Sequence, residues 1–267
     1  MTFIAAMDHS GGSTGGVLER YGQEYTEDNK MDLVHRMRLR MVLNENFTSD
    51  KISHAILYKD SVEKDMVAVL ANKGIHAILK VDSGCEANGF LKVFDVDSMI
   101  RFALGAGCVG TKMRSIVKDM YDVPKLLDQQ FELAWRISNA GLTPIVEPEI
   151  PIDAFNKSVI EKHLNEELMN RCRDFPGQLI LKLTIPDISE TYNNLYEYNS
   201  VEKIVGLSGG YSTEEACTKL SRSPHMSASF SRGLSEGLFH SQTDEEFNER
   251  IKSNIDMIYK ASKWSKV

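Results

Sequence analysis

Short apolar runs alternate with longer amphipathic segments along the chain. Fully buried strands of a parallel sheet have this continuous apolar character. Eight strands are predicted: Phe3–Met7, His54–Leu57, Ala77–Val81, Val109–Lys112, Pro144–Glu147, Leu179–Leu183, Ile204–Leu207 and Ala228–Phe230. Their spacing is about 33 residues, which matches the roughly 30 or more residues of a strand–helix–strand unit.

The segments between the strands show helical spacing of apolar residues. The clearest signals are Val62, Met66 and Leu70 in one helix before Gly74; Leu127, Phe131 and Trp135 between Pro124 and Gly141; and a Thr243–Glu246 capping box before Phe247, Ile251 and Ile255. Ser212 and Glu215 predict a second capping box. The strand–helix alternation therefore favours a parallel sheet with helices packed outside it.

Eight repeating units favour an α/β fold of the (β/α)8 TIM-barrel class, a closed parallel barrel surrounded by helices. The alternative is a doubly wound open sheet, but the first strand is not followed by a GxGxxG turn. No linker or change in composition divides the chain, so one domain over residues 1–267 is predicted.

The composition is that of an ordinary globular protein. Hydrophobic residues make up 42% of the 267 positions and charged residues 26%, which argues against a disordered, collagenous or coiled-coil protein. The 38 acidic and 31 basic residues give a net charge of −7. This acidity argues weakly against nucleic acid as a partner.

The first residues and the cysteines indicate a cytoplasmic protein. Met1–Met7 has no basic residue and is followed by Asp8, unlike a secretory signal. No apolar run approaches the ~18 residues of a membrane span, so we expect no membrane association. The four cysteines lack CxxC spacing and the histidines lack HExxH spacing, so neither a disulfide framework nor a metal site is indicated.

Charged residues gather at the carboxyl ends of the predicted strands, where barrel enzymes place their catalytic groups. They are three lysines (Lys80, Lys112 and Lys182), three carboxylates (Asp8, Glu147 and Glu149) and Arg114. Lys182 is the most informative, because it interrupts the apolar run Leu179–Ile185. Alone, it would be interpreted as a lysine that reaches solvent or pairs with Glu147. The whole set favours a Schiff-base lysine beside a glutamate acid/base.

Two loops are candidate phosphate sites. Ser208–Gly210 follows the seventh predicted strand and precedes a helix start, and Arg232 ends the eighth. Barrels often bind phosphate between the loops after strands seven and eight. The loop after the first strand supplies the hydroxyls of Ser10 and Ser13. A simple turn and a polar loop are the competing interpretations.

The chain resembles the class I (Schiff-base) fructose-bisphosphate aldolases, most closely the compact bacterial-type members. The motifs that carry the resemblance are Ile4–Ser13, Leu79–Gly84, Gly110–Arg114, Pro144–Glu149, Leu181–Pro186, Leu207–Gly210 and Ser229–Arg232. They span nearly the whole chain. The segments PIVEPE and LSGG, combined with a lysine in the sixth strand, are the specific part.

The resemblance implies a role for each matching residue. Lys182 would form the imine with the ketose carbonyl, and Glu147 would act as general acid/base. Asp8 would handle the hydroxyl that is deprotonated on carbon–carbon cleavage. Lys112 would stabilise charge near Lys182, and Glu149 would orient the network.

The resemblance also implies a phosphorylated sugar substrate, fructose 1,6-bisphosphate, with a phosphate at each end. The phosphate of the dihydroxyacetone half would be held by Ser208, Gly209, Gly210 and Arg232, and the other by Ser10, Ser13 and Lys80 with help from Arg114. An imine accepts the electrons released on cleavage, so no metal and no cofactor are expected. The family commonly forms oligomers, which makes a homo-oligomer compatible with the resemblance.

Two alternatives stay open. A Schiff-base aldolase for another sugar phosphate, such as sedoheptulose bisphosphate, would share the Lys182 chemistry. A barrel without catalysis that senses or scaffolds a sugar phosphate would bind substrate but not turn it over.

Overall fold

The computed structural model describes residues 2–11 and 13–262. Its eight strands are β1 (Phe3–Met7), β2 (Ile52–Leu57), β3 (His76–Lys80), β4 (Gly110–Ile116), β5 (Thr143–Glu149), β6 (Leu179–Thr184), β7 (Val201–Leu207) and β8 (Ser227–Ala228). The α-helices are α1 (Ser13–Arg20), α2 (Lys30–Leu43), α3 (Lys59–Val62), α4 (Met66–Asn72), α5 (Val96–Gly105), α6 (Val123–Asn139), α7 (Lys157–Asp174), α8 (Thr213–Leu220), α9 (Arg232–Ser235) and α10 (Asp244–Ala261).

The strands form one parallel sheet in the order β1 to β8. The sheet is nearly closed, because the backbone amide of Ala6 in β1 donates to the carbonyl of Phe230, just after β8, at 3.2 Å. Helices surround the sheet. This confirms the predicted (β/α)8 TIM barrel.

Side chains alternate between the inside of the barrel and the helix layer. Seven apolar side chains pack as an inner cluster: Ile4, Ala6, Ile56, Ile78, Ile145, Ile180 and Val205. In β6, Leu179, Leu181 and Leu183 instead belong to the larger core that includes the helices. Lys182 is two residues beyond Ile180, so alternation places it on the inner side, at the carboxyl end of the barrel.

One helical prediction needs correction. The helix predicted through Val62, Met66 and Leu70 is two helices, α3 and α4, because Asp65 adopts a left-handed conformation with φ of 60°. In α6, where helical spacing places Leu127, Phe131 and Trp135 on one face, Leu127 and Phe131 are buried and Trp135 is half exposed.

The connection from β6 to β7 also departs from the predicted pattern. It contains a short 3-10 helix, Asn193–Glu197, where the pattern predicts an α-helix. Residues 186–200 begin with proline and are rich in Asn, Ser, Thr and Tyr, which are poor α-helix formers.

Both predicted helix starts are observed. The Thr243 capping box of α10 is complete, with the side chains of Thr243 and Glu246 each bonded to the other's backbone amide. At α8, the Ser212 hydroxyl accepts from the Glu215 amide at 3.2 Å, which is one half of the box. In the part of the chain that the structure describes, no helix has the length and apolarity needed to cross a bilayer.

Candidate active site

A cavity of about 1020 Å³ opens at the carboxyl ends of the strands. It is lined by most of the predicted site residues, namely Asp8, Ser10, Lys80, Lys112, Arg114, Glu147, Glu149, Lys182, Ser208, Gly209 and Arg232. Gly210 lies at its border, since a Cβ added to it would be 3.6 Å from Nη2 of Arg232. The side chain of Ser13 lies outside the described residues. The fold thus brings together residues that are distant in sequence.

Four buried side chains form a chain of alternating charge. The Nζ atom of Lys182 is 3.3 Å from Oε1 of Glu147. The other oxygen of Glu147 is 2.7 Å from Nζ of Lys112. Lys112 also donates to Oδ2 of Asp8 at 2.9 Å. All four side chains are at most about one-tenth exposed, so their mutual attraction is little screened by water.

The strands account for this arrangement. Lys112 in β4 is paired in register with Lys80 of β3 and with Ile145 of β5. Glu147 is two residues beyond Ile145, and therefore on the same inner side. Asp8 directly follows β1. Asp8, Glu147 and Lys182 therefore each lie two residues beyond a member of the inner cluster, namely Ala6, Ile145 and Ile180. Lys112 lies level with Ile145 on the neighbouring strand.

The electrostatics distinguish Asp8 and Lys112 from ordinary surface groups. Burial opposes the charge of Asp8, but Lys112 and then Lys182 outweigh it and hold the pKa of Asp8 well below its ordinary value. Burial also opposes the charge of Lys112, but Asp8 and Glu147 outweigh it and raise the pKa of Lys112. Asp8 is therefore a carboxylate and Lys112 an ammonium at neutral pH.

Glu149 and Arg114 form a second pair beside this chain. The Nε atom of Arg114 lies 2.5 Å from Oε2 of Glu149. Burial raises the pKa of Glu149, although Arg114 opposes the shift. Glu149, predicted to orient the lysine network, therefore pairs with Arg114, a residue of β4 that lines the cavity.

Lys80 is already paired with a carboxylate. Its Nζ donates to Oδ1 and to the backbone carbonyl of Asp82, at 2.8 and 2.7 Å. Asp82 also accepts from the amides of Gly84 at 2.9 Å and Arg114 at 3.2 Å. Asp82 thus joins the ends of β3 and β4. Our sequence reasoning missed it, although its place directly after a predicted strand end was a usable signal.

The loop after β7 needs its glycines. Gly209 has φ of +59° and Gly210 has φ of +126°, a region that side chains disfavour. A Cβ on Gly209 would lie only 2.6 Å from Cγ2 of Ile152. Ser208 is buried beside them, and Arg232 begins α9 after β8. This bare backbone next to a guanidinium suits a phosphate group.

His9 and Arg38 are further residues at the site. The His9 ring lies 2.9 Å from the Ser231 hydroxyl through Nε2, and burial lowers the pKa of His9 to about 4. Arg38 of α2 donates to the backbone carbonyl of His9 at 2.6 Å. Arg38 gave no sequence signal, because it lies far from the strand ends along the chain. Across residues 2–11 and 13–262, no group of three or more His, Cys, Asp or Glu side chains is arranged to hold a metal ion.

The fold and this geometry define a (β/α)8-barrel protein with a buried lysine–carboxylate centre. Two curated relatives match this chain over nearly its whole length. The chain is 42% identical to the class 1 fructose-bisphosphate aldolase of Synechocystis sp., covering 97% of this chain and 93% of the relative. It is 40% identical to the class 1 fructose-bisphosphate aldolase of Clostridium acetobutylicum, covering 97% and 95%. The chain belongs to the class 1 fructose-bisphosphate aldolase family.

Solved structures agree on the fold. A fructose-bisphosphate aldolase from Plasmodium falciparum superposes with a TM-score of 0.78 at 20% identity, covering 100% of this chain and 92% of that one. An archaeal fructose 1,6-bisphosphate aldolase gives a TM-score of 0.58 at 8% identity, covering 97% and 93%. At these identities the likeness supports the barrel alone. No family model matches the chain.

Proposed function

We propose that this protein cleaves fructose 1,6-bisphosphate to dihydroxyacetone phosphate and glyceraldehyde 3-phosphate, and catalyses the reverse condensation, through a Schiff base at Lys182. The observation that carries the proposal is the buried chain Lys182–Glu147–Lys112–Asp8 at the cavity floor. The two curated relatives, whose names specify class 1 aldolases, support the reaction type.

The surroundings of the lysines favour Lys182 as the nucleophile. Lys112 contacts two carboxylates, which keep its ammonium charged and therefore unreactive. Lys182 contacts one oxygen of Glu147 at 3.3 Å and shares that carboxylate with Lys112. Lys182 would pass one proton of its ammonium to Glu147, and the resulting neutral amine would attack the C2 carbonyl carbon. A proton shift from nitrogen to the new alkoxide then gives the carbinolamine. Glu147 would protonate the departing hydroxyl, so that water leaves and a protonated imine forms.

Asp8 is placed for the cleavage step. As a carboxylate, it would take the proton of the C4 hydroxyl. The C3–C4 bond then breaks, the C4 carbon becomes the aldehyde of glyceraldehyde 3-phosphate, and the electron pair moves into the imine to form an enamine. Protonation at C3 and hydrolysis of the imine would release dihydroxyacetone phosphate and restore Lys182. The Lys112 ammonium remains between Asp8 and Glu147 and stabilises their charge changes.

The two ends of the cavity suit two phosphates. Ser208, Gly209, Gly210 and Arg232 would hold the phosphate next to the Lys182 carbonyl carbon. Ser10, Ser13 and Lys80 would receive the other, with Arg114 beside them. Cations near the cavity of an acidic protein also fit an anionic substrate. The cytoplasmic location is part of the same proposal, and the four unpaired cysteines are consistent with it.

Replacement of the proposed nucleophile tests this proposal. Lys182→Met should lower kcat for fructose 1,6-bisphosphate by more than about 1000-fold. The matched control is Lys203→Met on the next strand, β7. Its ammonium bonds the Thr2 carbonyl at 3.1 Å, at the opposite end of the barrel. Turnover by Lys182→Met comparable to that of the control would contradict the proposal.

A further inference from the structure

Arg38 has the largest fully buried side chain in the described part of the molecule. It lies on α2, outside the barrel, and is only 1% exposed. Burial lowers its pKa, although Asp60 and then Asp8 oppose that shift. A buried guanidinium costs stability unless its donors are satisfied. The hydrogen-bond partners of Arg38 therefore indicate why the guanidinium is buried.

The guanidinium joins two loops at the carboxyl end of the barrel. Its Nη2 donates to the His9 carbonyl at 2.6 Å. Its Nη1 donates to the Ser61 hydroxyl at 2.8 Å and to Oδ1 of Asp60 at 3.2 Å. Ser61 and Asp60 belong to α3, directly after β2. Arg38 therefore ties the loop that follows β1 to the next strand–helix unit.

The loop after β1 needs such an attachment. Strand β1 pairs with β2 as far as Met7 and Leu57, so Asp8 is the first residue beyond the ladder. Gly11, three residues later, has φ of +57°. His9 is held from two sides, through its carbonyl by Arg38 and through its ring by the Ser231 hydroxyl. The His9–Ser10 peptide group and the His9 ring, both directly after Asp8, are thereby each held by a hydrogen bond.

We propose that Arg38 is a positioning residue for Asp8. By holding the carbonyl of His9, it fixes the backbone from which the Asp8 carboxylate reaches Lys112 at 2.9 Å. The inference rests on the proposed function, in which Asp8 takes the proton of the C4 hydroxyl. It goes beyond that function because it assigns a residue on α2, which supplies no cavity-lining group near Asp8, to the cleavage step.

Two reactions distinguish a residue that positions Asp8 from one that only stabilises the fold. Imine formation with dihydroxyacetone phosphate alone involves no C4 hydroxyl, whereas cleavage of fructose 1,6-bisphosphate does. We expect Arg38→Met to lower kcat for cleavage by about 10- to 100-fold, the scale of a displaced catalytic group. KM and the rate of the borohydride-trapped adduct with dihydroxyacetone phosphate should stay within about threefold of the wild type.

Ser61→Ala is the matched control, because it removes an Arg38 contact but leaves the one to His9. It should change cleavage by less than about threefold. Arg38→Lys gives the same test in a variant that keeps the buried charge. A single ammonium has no second donor group to reach the His9 carbonyl while it pairs with Asp60, so a comparable loss of kcat is expected.

Combination with Asp8→Asn tests whether Arg38 acts through Asp8. The double variant Arg38→Met/Asp8→Asn should cleave no more than about threefold slower than Asp8→Asn alone, since residues acting as a unit are not additive. Additive losses, equal losses in adduct formation and cleavage, or unchanged cleavage in Arg38→Met would each overturn the inference. Failure of the wild type to form the adduct would instead reject the proposed function.

Discussion

The three lysines at the strand ends show how neighbours decide the role of a residue. Lys80 is paired with Asp82, Lys112 lies between Asp8 and Glu147, and Lys182 contacts one oxygen of Glu147. The sequence singles out Lys182 by its apolar surroundings, but it does not show which carboxylate each of the three lysines contacts. Only the distances show that Lys112 is fully neutralised by carboxylates while Lys182 shares one.

The sequence predicted the residues on the strands better than those around them. The continuous apolar run Leu179–Ile185 marks Lys182 as a lysine of a buried strand. That it faces the inside follows from Ile180, two residues earlier, which belongs to the inner cluster. Arg38 could not be found this way, since its partner is a backbone carbonyl 29 positions earlier. Every residue has a backbone carbonyl, so the sequence does not indicate which carbonyl accepts a hydrogen bond from Arg38.

Arg232 provides a prediction at the residue scale. Removal of its guanidinium should weaken phosphate binding at the loop after β7, where the charge-assisted hydrogen bonds have no substitute. We expect Arg232→Ala to raise KM for fructose 1,6-bisphosphate by about 10- to 100-fold. Steady-state kinetics would measure this, with Arg222→Ala, an exposed arginine just after α8, as the control. An unchanged KM would remove Arg232 from the phosphate site.

At the scale of elements, the carboxyl ends of β5 and β6 are joined by one side chain. The Thr184 hydroxyl accepts from the Ile150 amide at 3.0 Å and donates to the Ile150 carbonyl at 2.7 Å. Glu147 lies just before Ile150, and Lys182 just before Thr184. This buried bridge fixes the spacing between the proposed nucleophile and its acid/base.

Thr184→Val removes the bridge while keeping the shape of the side chain. We expect kcat to fall by about tenfold through the displaced Lys182–Glu147 pair. The free energy of unfolding should fall by about 1–3 kcal/mol, because the Ile150 groups are left unsatisfied. Kinetics and denaturant unfolding measure the two effects. Thr184→Ser retains the hydroxyl and should behave like the wild type; equal losses in both variants would contradict the role of the hydroxyl.

Element boundaries were the weaker part of the sequence prediction. The four-residue spacing of Val62, Met66 and Leu70 persists across the break between α3 and α4, since all three side chains remain buried. Periodicity reports which side chains are buried, and it does not report the backbone turn at Asp65 that separates the helices.

At the scale of the whole molecule, the two ends of the barrel differ in chemistry. The carboxyl end holds the proposed active site. The amino end holds His54 and His76, with ring centroids 5.4 Å apart, and Lys203, whose pKa burial lowers to about 8. Burial, then Lys203 and His76, lower the pKa of His54 to about 4.

The lowered pKa of His54, far from the proposed active site, predicts that the stability of the fold decreases in acid independently of catalysis. Between pH 6.5 and about 4 the unfolded chain binds a proton at His54 and the folded chain does not, so stability falls as pH falls. His54→Gln should therefore flatten the decrease of Tm between pH 6.5 and 4.5 and leave turnover at pH 7.5 unchanged. His9 leaves a residual slope, since its pKa is also lowered to about 4.

Thermal unfolding across that pH range measures the effect. His240→Gln, a change of an exposed histidine, is the matched control. An undiminished slope in His54→Gln would show that this partly buried histidine at the amino end does not contribute to acid sensitivity.

The central claim is that Lys182 forms the imine, and borohydride trapping tests it most directly. The protein is mixed with dihydroxyacetone phosphate, reduced, digested and mapped by mass spectrometry. We predict a substrate-dependent adduct on Lys182, absent from Lys80 and Lys112 and from Lys182→Met. The absence of an adduct on Lys182 in folded protein, or its appearance on Lys112, would contradict the account.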